Sequence, residues 1–175
     1  MEKALSHYIG TKRIQASKMT LGEYNIYRGW DIPADENPNK EGYLVVYPGG
    51  YESWSPKETF EETYRSITAY GLTISQATNI MKSGDGLGIT RAGWNGKEMF
   101  AVYREGYPEG VECNADHAKA WNLEEGEKVV IRPYFQLRCA DGTLANWTPT
   151  TSDILAEDWG VVYSGEQYEK IWGIE

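Results

Sequence analysis

Imidazole and thiol are scarce in this chain: its 175 residues include two histidines, His7 and His117, and two cysteines, Cys113 and Cys139. A zinc centre or a serine-type triad would have to be built almost without imidazole. No His-Glu-x-x-His segment, Gly-x-Ser-x-Gly elbow or Walker loop occurs. The cysteines lack Cys-x-x-Cys spacing, which suits a reducing cytosol better than a disulfide scaffold. No apolar run approaches the length that spans a bilayer, and Met1 to Ile9 has no apolar stretch behind its charges. The expectation is a soluble, intracellular protein with no membrane partner. Basic charge is short too: 17 Lys and Arg against 26 Asp and Glu leave a net charge of −9. Such a chain has no basic face with which to release counterions, so a nucleic-acid polymer is excluded as partner. The acidic residues are dispersed, with no long run that would imitate a DNA backbone.

Aromatic residues are plentiful. Seven Trp and thirteen Tyr exceed what a core of this size demands, so some are expected to face ligands or partner chains. The length allows one domain or two small ones, and the organisation along the chain favours two. Thr20-x-x-Glu23 reads as a capping box, and so does Ser55-Pro56-Lys57-Glu58, with proline at the first helical position. Helices are predicted over about Leu21 to Tyr27 and Pro56 to Arg65. Between them lie a polar loop, Asp31 to Glu41, and a hairpin of Gly42 to Tyr47 and Tyr51 to Ser55 turned at Gly49-Gly50. Residues 1–66 thus form a small α+β domain. Its Tyr24, Tyr27, Trp30, Tyr43, Tyr51 and Trp54 serve either as core or as a second ligand surface.

A second domain is predicted over residues 70–175. Thr73-x-x-Gln76 caps a helix whose Ala77, Ile80 and Met81 share one face, and Gly84, Gly86 and Gly88 lead into a first strand. Ile89 to Gly93 then pairs with Glu98 to Tyr103. Arg104 to Gly126 reads as a long Gly-, Pro- and acid-containing excursion with a short helix from Asn114 to Trp121. Strands resume at Lys128 to Arg132 and Tyr134 to Cys139, and Asp141-Gly142 turns the chain into Thr143 to Trp147. Ser152 or Thr151 caps a short helical turn ending near Glu157, before a last strand from Trp159 to Tyr163; Trp159 is expected in the core. The class is α+β: an antiparallel sheet with a packed helix. The tail from Ser164, with Ile171 and Trp172, is expected to dock on the body or a neighbour.

Within the first hairpin of this domain, Asn95-Gly96 is a strong tight-turn signal, because both residues tolerate positive φ. Trp94 and Lys97 flank it. An indole stacks on a flat base, an ammonium neutralises phosphate, and Arg91 adds local positive charge in an acidic chain. Read together with Asp141-Gly142-Thr143, Trp147, Thr151-Ser152-Asp153 and Leu155-Ala156-Glu157-Asp158-Trp159, this block resembles a family of small phage proteins that counter the bacterial Thoeris defence, over about residues 70 to 163. Asn146 stands before Trp147 where that family often has proline.

The resemblance implies a sponge that binds a cyclic ADP-ribose isomer, or in some members a cyclic dinucleotide, without destroying it. It places ligand-binding residues at Trp94, Asn95, Gly96, Lys97, Met99, Trp147, Ser152 and Asp153, with Arg91 beside them. It also implies homo-oligomers with pockets between protomers, acting in the cytoplasm of the infected host, with no cofactor, catalytic residue or metal. Two readings of another class stand against it. A hydrolase of the same signal would use Asp153, Glu157 and Asp158 to hold Mg²⁺, or Cys113 and His117 as a thiol-base pair. A direct protein inhibitor would block a host defence component through its aromatic surface.

Overall fold

The computed structural model describes residues 12–94 and 98–164. The chain divides between Tyr64 and Arg65 into two compact units. In the first, β1 (Gln15–Lys18), β2 (Gly42–Val46) and β3 (Glu52–Pro56) form an antiparallel sheet in that order. The α1 helix (Leu21–Arg28) carries the expected box, with the Thr20 side chain accepting from the Glu23 N–H and the Glu23 carboxylate accepting from the Thr20 N–H. It stops at Gly29, whose φ of 68° is the left-handed conformation that ends helices. The β2–β3 turn runs through Gly49 and Gly50, both at positive φ.

Two features of this unit depart from expectation. The β1 strand pairs with β2 although nothing in residues 12–19 announces it. The Ser55 box does not form: Ser55 lies opposite Tyr43 and Pro56 opposite Gly42 in the ladder, so the strand runs straight into α2 (Lys57–Thr63). Pro56 is the N-cap, with no side-chain cap bond. Cross-strand pairing has overridden a local capping signal.

The second unit is built on a five-stranded antiparallel sheet. Its elements are β4 (Gly88–Arg91), β5 (Phe100–Arg104), β8 (Tyr134–Arg138), β9 (Leu144–Trp147) and β10 (Trp159–Val162), ordered β10-β4-β5-β8-β9. The α3 helix (Ile74–Lys82), capped by the Thr73 and Gln76 box, buries Ala77, Ile80 and Met81 against Leu72, Ile89, Ala101 and Trp159. Trp159 is the centre of this core. Its side chain is fully buried, its backbone exchanges two hydrogen bonds with Leu72, and its indole N–H donates to the Asp153 carbonyl at 2.9 Å.

The excursion has more order than its composition suggests. Strand β6 (Tyr107–Glu112) pairs with β7 (Lys128–Ile131) in a separate two-stranded sheet, with α4 (Ala115–Trp121) between them. The strand expected to resume at Lys128 therefore belongs to the excursion. Asn114 caps α4, accepting from the His117 N–H.

Alternation decides which sheet face is open. Ile89, Ala101, Leu137 and Trp159 point to the core. Their neighbours Thr90, Phe100, Arg138 and Gly160 must therefore lie on the opposite face, where register sets Phe100 beside Arg138 and Gly160 beside Thr90. An antiparallel sheet can leave one face without a covering layer, and among the described residues Thr90, Phe100 and Arg138 on this face line a depression.

Candidate functional site

The β4–β5 ladder stops well short of its tip. Ile89 pairs with Ala101, but Ala92 and Gly93 form a turn and pairing is not continued to Glu98. The expected strand extents, Ile89 to Gly93 and Glu98 to Tyr103, are therefore too long at the tip. The physical reason is a competing partner: the Ala92 N–H donates to the Asp158 carbonyl, and the Gly93 N–H to Asp158 Oδ2 at 2.8 Å. A Cβ on Gly93 would come within 2.9 Å of that carboxylate oxygen, so the close approach needs glycine. Asn95, Gly96 and Lys97, and the tail residues Ile171 and Trp172, lie outside the described residues.

Beneath the tip, Arg91 closes a clasp. Its Nε donates to Asp158 Oδ1 and its Nη1 to Asp153 Oδ1, both at 2.8 Å, and the guanidinium lies 5.7 Å from the centre of the Trp159 ring. Asp153 also accepts from the Trp94 indole N–H at 3.3 Å and from the Thr150 N–H and hydroxyl at 2.9 and 2.7 Å. Burial acts to raise the Asp153 carboxyl, but these donors outweigh it and hold it below the ordinary aspartate value. Arg91 does the same to Asp158, with help from the Gly93 amide, and the two carboxylates in turn push the guanidinium further up. Three tryptophans back the clasp: Trp94 meets Trp159 at 5.4 Å and Trp147 at 5.6 Å, both edge-on, and Phe135 continues the stack.

The short helix α5 (Thr151–Ile154) supplies Asp153. Its cap is Thr150, not Thr151 or Ser152, because the box is closed by Asp153 three residues on. Ser152 instead shares a hydrogen bond with the Thr150 hydroxyl and turns its carbonyl toward Arg91 at 3.5 Å.

On the open sheet face, beside the clasp, lies a depression of about 690 Å³. Arg91, Trp94 and Met99 line it with Tyr70, Glu98, Phe100 and Arg138. The expected site residues therefore fall into two groups. Arg91 and Trp94 belong to both clasp and depression; Met99 lies only in the depression; Asp153, Ser152 and Trp147 stand behind it.

Arg138 and Tyr70 were not expected. Arg138 grips Glu98 through its carbonyl at 2.9 Å and its carboxylate at 3.1 Å, fixing a residue whose φ of 59° is left-handed. Strand alternation was the available signal for Arg138, since Phe135 and Leu137 are the apolar members of Tyr134–Arg138. Tyr70 lies against Gly160, where an added Cβ would come within 3.0 Å of its ring, and no local pattern marks that contact.

Of the residues of the hydrolase readings, Glu157 is exposed and the other four have partners. Asp153 and Asp158 turn oxygens to Arg91. The buried Cys113 thiol donates to the Glu124 carbonyl at 3.2 Å, while His117 stacks on Trp121.

Against this geometry, comparison with known proteins gives a concordant result. The model of a family described as the Thoeris anti-defense 2-like domain matches residues 72–162. That span opens at Leu72, bonded to Trp159, and covers α3, the five-stranded sheet, the excursion and α5. A relative, Thoeris anti-defense 2 of Bacillus phage SP01, is 29% identical over 91 residues, which is 52% of this chain and 94% of that protein. Residues 12–64 fall outside the family match.

Proposed function

From the premise that the chain belongs to the Thoeris anti-defense 2-like family, we propose that it binds a cyclic nucleotide immune signal and sequesters it uncleaved. Membership carries the anti-Thoeris role of a phage protein; the proposal concerns the means. A cyclic ADP-ribose isomer is the first ligand and a cyclic dinucleotide the second. The observation that supports this most is the depression beside the clasp, lined by Arg138 and by aromatic residues on a chain of net charge −9. Its size suits a nucleotide, since small-molecule sites run to about 300–1,000 Å³.

The roles follow from what each group has already bound. Arg91 is neutralised by two carboxylates, so it sets the wall and the field more than it supplies charge. Arg138 is held by one Glu98 carboxylate that is itself 77% exposed, so a phosphate can take its place. Trp94, fixed behind by Asp153, and Tyr70 offer ring surface for a base. Lys97 and Asn95, which lie outside the described residues, are included by residue type alone, as a charge for phosphate and an amide for a base or ribose. A second copy of the chain closes the open face, giving a homo-oligomer with pockets between protomers in the host cytoplasm. Among the described residues no helix is long and apolar enough to cross a membrane.

Calorimetric titration of the wild type and Arg138→Ala with a cyclic ADP-ribose isomer, and separately with a cyclic dinucleotide, tests this. A charged hydrogen bond contributes about 1.5–3 kcal/mol, so the variant should bind roughly ten- to a hundredfold more weakly. Equal affinity in the two proteins would remove the depression as the site.

A further inference from the structure

The first unit holds a separate groove, of about 410 Å³, between α1, the loop that follows it and the β2–β3 hairpin. We propose that this groove binds the guanidinium or ammonium group of an organic cation, as carried by an arginine or lysine side chain. It lies outside the family match, and its argument is independent of the signal-binding site.

Three observations converge. First, the walls are aromatic and open: Trp30 is 54% and Tyr51 68% exposed, although both line the groove. Second, the lining charge is negative. Arg28 is the cation and Asp31, Glu36 and Glu52 the acids, so the lining residues carry a formal charge of −2. The chain's own Arg28 already displays the recognition chemistry, with its guanidinium 5.2 Å from the Trp30 ring centre and 3.5 Å from Glu52. Glu52 is further occupied by the Tyr27 hydroxyl, which leaves Asp31 and Glu36 as the acids for a second cation.

Third, Asn25, a largely buried residue that lines the groove, has an acceptor left over. Asn25 is 5% exposed, and its side-chain amide nitrogen donates to Glu36 Oε2 at 3.1 Å. A carboxylate only accepts, so the nitrogen must be the atom on Glu36 and the amide oxygen is left over. No side-chain donor among the described residues reaches that oxygen, and it is not sealed from solvent. An acceptor, a carboxylate and an aromatic face form a receptor for N–H-bearing cations and disfavour anions.

The test uses the full chain and three probes: agmatine, an arginine-containing tripeptide amide, and the same peptide with citrulline, which keeps the shape and removes the charge. Binding is read by chemical-shift perturbation of the Trp30 indole and by titration. Both cations are expected to bind, the citrulline peptide at least tenfold more weakly. Trp30→Ala and Glu36→Gln should each weaken the cations by about three- to tenfold. Trp30 is mostly exposed, and Gln at position 36 keeps an acceptor for Asn25, so both variants should fold. A peptide tighter than agmatine identifies a protein side chain as the source, and the reverse a free amine; either upholds the groove. Citrulline and arginine peptides of equal affinity, absence of binding by either cation, or affinities unchanged in both variants would overturn it.

Discussion

Removing the Asp153 carboxylate should destabilise the second unit more than any other single change at the clasp. Asp153→Ala deletes four accepted hydrogen bonds, from Arg91, Trp94 and the Thr150 N–H and hydroxyl, at a side chain that is 7% exposed. Breaking one side of a buried ion pair costs about 3–5 kcal/mol. Arg91 keeps Asp158 at 2.8 Å, which argues for the lower end. The Thr150 cap itself survives, since the Asp153 N–H still donates to its hydroxyl; only the reciprocal arm of the box goes, and it shares the lost carboxylate, so it does not simply add. The net expectation is about 3–4 kcal/mol, which for a chain of this length lowers Tm by roughly 10 °C. Asp153→Asn keeps an acceptor for Thr150 and Trp94 while losing the charge, and should fall between wild type and alanine. Urea unfolding followed by fluorescence and far-ultraviolet circular dichroism measures all three. A loss below about 1 kcal/mol for Asp153→Ala would refute the clasp as the lock beneath the hairpin.

The remaining expectations concern pH, Trp94 and assembly. Asp153 and Asp158 are both held below the ordinary aspartate value, so the folded state binds fewer protons than the unfolded. Their stabilisation is complete above about pH 4 and is lost as pH falls through the folded-state values; Asp153→Asn should flatten that acid limb. Trp94→Ala, taking a ring from between Trp147 and Trp159, should lower Tm by several degrees and weaken ligand binding by about ten- to a hundredfold. Lost stability with unchanged affinity in paired melting and titration would return Trp94 to a packing role alone. Light scattering at micromolar concentration should show an oligomer; a monomer that still binds tightly would exclude shared pockets.

Local signals were legible and long-range ones were not. The Thr20 and Thr73 boxes formed as read, since each is closed within three residues. At α5, three consecutive hydroxyl residues competed for the cap, and Asp153 at the third helical position selected Thr150. Ser55 failed because its backbone was claimed by Tyr43, a partner twelve residues away. The β6–β7 ladder escaped notice because it is written in Gly, Pro and acid, with an irregular register between Tyr107 and Val111 accommodated around Gly110 at positive φ. At the site, Arg91 and Asp153 were picked out as separate ligand contacts. The structure makes them partners of each other, joined by Asp158 sixty-seven residues beyond Arg91. That distance explains why the clasp is invisible in the sequence and Arg138 unmarked; Trp94 and Met99, chosen by type, line the depression, and Trp147 does not.

The central claim is sequestration without turnover, and release of bound ligand tests it most directly. The purified protein is incubated with an extract from cells whose Thoeris defence is signalling, washed, and denatured by heat, and the released small molecule is identified by mass. A sponge must outcompete the host receptor, so its affinity should be near nanomolar, about −12 kcal/mol, and the ligand should survive the wash. Recovery of an intact cyclic nucleotide, able to reactivate the defence, is the expected result. Recovery of only a linear hydrolysis product, or of no nucleotide while the defence is still blocked, would contradict the account.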